Sequence, residues 1–71
     1  MLYKFYDEIL ERIIVIDGHF VEHEQVTVTI WNEYSDRVLK RKVHWDGSAK
    51  DLYISIDGIR VYYDYVNSRM E

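Results

Sequence analysis

The sequence predicts an α+β fold: an antiparallel β meander of four to five strands with an N-terminal amphipathic helix on one face. Three observations carry that expectation. All three glycines follow an aspartate, at Asp17-Gly18, Asp46-Gly47 and Asp57-Gly58. Asp-Gly between alternating apolar residues signals a tight hairpin, because a type I′ turn needs positive φ at both central residues. Most of the chain beyond Phe20 alternates apolar and polar residues with the period of two of a half-buried strand. At the N-terminus, Leu2, Phe5, Tyr6, Ile9 and Ile13 instead recur at i, i+3, i+4, i+7 and i+11, which is the stripe of a helix. An apolar sheet face needs a cover, and this stretch supplies one.

Taken in order, the helix is expected to about Arg12, with Lys4, Asp7, Glu8, Glu11 and Arg12 off its apolar stripe. No good N-cap precedes Leu2, and the β-branched run Ile13 to Ile16 favours extended backbone. Those two facts support an alternative in which everything before Asp17 is β and the chain closes a small five-stranded barrel. A short strand, a turn at Asp17-Gly18 and a long strand from Phe20 follow. The middle hairpin turns through Glu33-Tyr34-Ser35-Asp36, setting Ile30 opposite Leu39 and Val26 opposite Val43. Arg41 falls on the inward parity of this hairpin, which implies a bulge or a sheet edge where its head reaches water. Asp46 to Asp51 connect to the last hairpin, with Trp45 near Leu52 and Val43 near Ile54. There, a two-residue turn at Asp57-Gly58 pairs Ile56 with Ile59, Ile54 with Val61 and Leu52 with Tyr63 on one face. Ser55 with Arg60 and Tyr53 with Tyr62 form the other. The meander is expected to end near Val66. The likeness of IIVIDGHFV to SIDGIRV is shared turn chemistry and no repeat.

Seventy-one residues allow one domain, 1–71, and the 48% hydrophobic content is enough to close a core in it. No linker or low-complexity stretch divides the chain. Cysteine is absent, which removes disulfides, thiolate nucleophiles and Cys-based zinc sites. Met1 to Tyr6 lacks the basic and long apolar regions of a secretion signal, and no run approaches the ~20 apolar residues of a membrane span. A cytoplasmic protein without membrane contact is therefore expected. Nine basic against thirteen acidic residues leave a net charge of −4, which opposes broad, charge-driven binding to nucleic acid.

Catalytic and metal chemistry find little support. His19 and His23 have the i, i+4 spacing that chelates zinc on a helix, but along the expected strand they lie ~13 Å apart. The residue after His19 is Phe20, so this is no HExxH motif. Ser35, Ser48 and Ser55 are explained by turns and a strand's outer face, and Asp17, Asp46 and Asp57 by their turns. With no nucleophile elbow and no phosphate loop, the expectation is no enzyme, no cofactor and no metal.

The informative feature is a basic run, Arg37, Lys40, Arg41 and Lys42, beside a face of aromatic residues. On one continuous sheet, Trp31, Lys40, Lys42, His44, Tyr53, Arg60 and Tyr62 would share an outer surface with Thr27 and Thr29. Trp, Tyr and Arg are typical anchors of protein interfaces. The expected function is thus a small interaction module that binds another protein as a regulator, inhibitor or subunit. A second copy of the chain could pair with an open sheet edge. Single-stranded nucleic acid is the alternative occupant, since interleaved cations and aromatics can hold phosphates and stack bases. A purely structural face, stabilised by cross-strand Thr/Lys and Tyr/Tyr pairs, accounts for the same residues.

Overall fold

The computed structural model describes residues 1–47 and 51–69. Its elements are β1 (Leu2–Asp7), β2 (Arg12–Asp17), β3 (Gln25–Trp31), β4 (Asp36–Lys42), β5 (His44–Trp45), β6 (Leu52–Ile56), β7 (Ile59–Tyr62) and α1 (Tyr63–Ser68). They form two antiparallel sheets, β1-β2-β3-β4 and β5-β6-β7. One apolar core is drawn from both sheets, from Phe20 and from Val66 of α1.

Three expectations are corrected. The N-terminal helix is absent: β1 is a strand, paired along its whole length with β2 from Leu2↔Asp17 to Asp7↔Arg12. Strand geometry buries Tyr3 and Phe5 and exposes Leu2 and Tyr6, whereas the helical stripe would have left Tyr3 outside. The β-branched Ile13 to Ile16 run thereby gains a ladder on both edges, with β1 and with β3. The alternative barrel is also overturned, because the sheets remain open and separate. Among the described residues, the one helix lies at the other end of the chain, where β7 stops at Tyr62 instead of running to Val66. Tyr63 therefore enters α1 and does not pair with Leu52.

The turns explain the other differences. Asp17-Gly18 is no tight hairpin: residues 18–24 connect β2 to β3, with Phe20 packed into the core between Tyr3 and Tyr63. His19 and His23 hence lie on a loop and not on a strand. Between β1 and β2, a turn forms without glycine, since the Asp7 carboxylate accepts the Ile9 and Leu10 N–H groups at 3.1 and 3.3 Å. In the middle hairpin Asn32 captures the Tyr34 and Ser35 N–H groups at 2.8 and 2.9 Å. That Asx turn moves the register by two residues, to Ile30↔Arg37, Val28↔Leu39 and Val26↔Arg41. A shift of two preserves which residues face inward. The Asp57-Gly58 turn has φ of 52° and 80° at its two residues, and Ile56↔Ile59, Ser55↔Arg60, Ile54↔Val61 and Tyr53↔Tyr62 pair as expected.

The continuous meander is interrupted at Val43. Its N–H donates to the Glu24 carbonyl and its carbonyl accepts from His23 N–H, both at 2.8 Å. These bonds take Val43 out of the strand ladder, and the chain passes there from the first sheet to the second. Trp45↔Leu52 still pairs as expected. Ser48, and with it part of the Asp46 to Asp51 connection, lies outside the described residues. Arg41, neither bulged nor free at an edge, donates from Nε to the Ser55 carbonyl at 3.0 Å and so ties β4 to β6.

Candidate interaction surfaces

The break at Val43 divides the seven residues expected on one face. His44, Tyr53, Tyr62 and Arg60 come together on the outer face of β5-β6-β7, aligned by His44↔Tyr53 and Tyr53↔Tyr62. Ring centroids of these two pairs are 5.5 and 5.4 Å apart. The Arg60 guanidinium lies 4.5 Å from the Tyr53 ring centroid and donates to the Tyr62 hydroxyl at 3.4 Å. That hydroxyl donates to Asp46 Oδ2 at 3.0 Å. The hydrogen bond to Tyr62, with Tyr53 beside it, makes the guanidinium hold its proton still more firmly than usual. These groups largely satisfy one another: Arg60 occupies a face of Tyr53 on which a base would otherwise stack, and Asp46 adds a carboxylate.

Trp31, Lys40 and Lys42 remain on the outer face of the first sheet. Lys40 is opposite Thr27, which is four residues along β3 from Trp31 and so roughly 13 Å away. Trp31 has other neighbours, lying in one cross-strand row with Tyr6, Ile13 and Asp36. Arg37 points inward and donates to Asp57 Oδ2 at 2.7 Å. That bond, assisted by the charges of Arg37, Arg12 and Arg41, draws the Asp57 pKa below its usual value.

Sequence reasoning missed one apolar feature. A groove of about 290 Å³ opens between β1 and β7, with Phe5, Ile14 and Val61 in its lining and Ile9, Leu10, Ile59 and Tyr65 around it. Ile9 is 89% exposed and Ile59 54%. Each of the two strands lies at an edge of its sheet, so β1 and β7 have a ladder partner on one side only. Arg12 and Asp7, charged groups in the groove, are already engaged, for Arg12 donates to Asp7 at 3.1 Å and lies 3.7 Å from Asp57. The consecutive apolar pair Ile9-Leu10 would have betrayed the groove only if a turn had been placed there.

Comparison with known proteins matches no protein family, no curated protein and no solved structure. Among the described residues, no helix is long and apolar enough to cross a membrane.

Proposed function

We propose that the protein is a non-enzymatic interaction module that binds another protein, as regulator, inhibitor or subunit, by taking an extended apolar segment into the groove between β1 and β7. The observation that carries this reading is the gathering of Ile9, Leu10, Ile59 and Tyr65, all exposed, around a groove in which Arg12 and Asp7 are paired with each other. Exposed apolar surface that converges on a concavity, unlike scattered single residues, marks a binding site. The β7 edge supplies main-chain hydrogen bonds to an added strand, and the groove supplies pockets for its alternate side chains. The His44-Tyr53-Tyr62-Arg60 cluster then stiffens the second sheet and leaves recognition to the groove.

The test is affinity capture from a lysate of the source cells, with nuclease and across a salt series, using wild type, Ile9→Ser/Ile59→Ser and Trp31→Ala/Tyr62→Ala. A protein held by wild type, resistant to salt and nuclease and lost only with the groove variant, is expected, because an aromatic and aliphatic interface weakens little with ionic strength. Recovery unchanged by the groove substitutions excludes the groove. Salt- and nuclease-sensitive recovery favours nucleic acid instead.

A further inference from the structure

At one end of the first sheet, the pairings Tyr6↔Ile13 and Ile13↔Trp31 set two aromatic rings on the same outer face with an isoleucine between them. Neighbouring strands lie about 4.8 Å apart, which places the Tyr6 and Trp31 backbones roughly 10 Å apart with Ile13 as the floor. A cation seated over Ile13 would then stand between the two aromatic side chains, about 5 Å from each flanking strand, a spacing compatible with the ~6 Å reach of a cation–π contact. Two adjoining hollows, of about 220 and 440 Å³, occupy this place. Tyr6, Glu11, Asn32 and Glu33 line both, Trp31 closes one and Tyr34 the other.

The charges around the rings select the ligand. Glu11 and Glu33 reach in from the two flanking turns, and Asp36 stands directly across from Trp31. Arg12, the one cation in the lining of these hollows, is committed to Asp7 and Asp57. The next cation on that face, Lys4, is two residues down β1 from Tyr6, roughly 7 Å away. Trp31 and Tyr6 are 42% and 49% exposed, so both side chains can be reached from solvent. Aromatic rings and carboxylates with no free cation in the lining of either hollow favour a positively charged side chain.

We propose that the Tyr6-Ile13-Trp31 row, closed by Glu11 and Glu33, binds the ammonium group of a lysine side chain presented by a partner protein. This site faces away from the core on the first sheet and adjoins the groove between β1 and β7, sharing Leu10 and Arg12 with its lining, but the proposal does not rest on what that groove binds.

The experiment uses ¹H–¹⁵N spectra of the full chain, in which Trp31 and Trp45 supply separate indole N–H signals. The probe is Nα-acetyl-lysine methylamide, with its Nε-acetylated analogue as a neutral control. A saturable shift of the Trp31 indole is expected, with a dissociation constant on the order of 10 mM and with Trp45 unmoved. The neutral analogue should leave Trp31 in place. Trp31→Leu, followed through the Ile13 and Glu33 amides, and Glu11→Gln/Glu33→Gln should each weaken binding by roughly two- to fivefold in protein whose spectrum remains folded. No response to the lysine probe, an equal response to the neutral analogue, or unchanged affinity in both variants overturns the proposal.

Discussion

Asp57 serves a turn and an ion pair at once, and the two roles can be separated. Its φ of 52° suits the left-handed position of the hairpin, and its carboxylate accepts the 2.7 Å bond from Arg37. Asparagine tolerates the same backbone conformation but carries no charge. The native pKa is lowered, first by the Arg37 bond, from the ordinary 3.8. The folded state thus binds fewer protons than the unfolded one, and the contribution is complete above about 3.8 and lost as pH falls through the lower native value. Urea midpoints measured from neutral pH to below 3 are expected to fall more steeply for wild type than for Asp57→Asn. Parallel acid limbs would show that the pair is screened away. Gly18 is the other sensitive position, because its φ is +139° and an added Cβ would meet Val26 Cγ1 at 2.9 Å. Gly18→Ala should destabilise by about 1–3 kcal/mol, and Gly58→Ala, which has open space and only an unfavourable φ, by about 1 kcal/mol. Chemical denaturation of the two variants checks that order. In sequence the two Asp-Gly pairs look alike. Only Asp57-Gly58 was readable, since its flanking apolar residues alternate symmetrically, whereas the role of Gly18 depends on Val26 and on a 2.8 Å bond to the Met1 carbonyl.

Among the elements, β1 shows how two periodicities can share one stretch. Phe5 belongs to the inward side in both readings, but the helical stripe adds Leu2 and Ile9 where the strand adds Tyr3. Pairing decided the matter: the Ile13 to Ile16 run needs a ladder partner on each edge, and β1 is the partner that adjacency in the chain supplies. Phe5→Ala is therefore expected to cost about 3–5 kcal/mol, while Leu2→Ala should stay within about 0.5 kcal/mol. Comparable losses at the two positions in urea denaturation would contradict the strand. The last hairpin was legible because turn chemistry and alternation agreed in it. Its middle counterpart was legible in parity and wrong in register, since Asn32 chose the turn through a side-chain bond that alternation does not report. Asn32→Ala removes that acceptor and should cost about 1 kcal/mol, with the largest amide shifts at Tyr34 and Ser35.

At the scale of the whole molecule, the division of the expected binding face follows from one residue. Val43 gives both its backbone groups to His23 and Glu24, far back along the chain, and no local pattern announces that. The sheet divides there, so Trp31, Lys40 and Lys42 part from His44, Tyr53, Arg60 and Tyr62. Arg41 was legible as an anomaly, an arginine on the inward parity, and the division explains it. With no ladder joining β4 to β6, its Nε supplies a charge-assisted bond from one sheet to the Ser55 carbonyl of the other. Such a bond contributes about 1.5–3 kcal/mol when the donor is charged, less here because Arg41 is only half-buried. Arg41→Met keeps the apolar stem and removes the donor, leaving the Ser55 carbonyl without this partner. A loss of about 1–2 kcal/mol is expected, against less than about 0.5 kcal/mol for Lys40→Met on the exposed parity. Hydrogen exchange locates the effect: in Arg41→Met, protection should fall in β6 and β7 before it falls in β1 and β2, because the second sheet has only three short strands and loses a tie to the first. If Arg41→Met and Lys40→Met are equally stable and exchange alike, the Arg41 bond does not hold the two sheets together, and the shared apolar core does so alone.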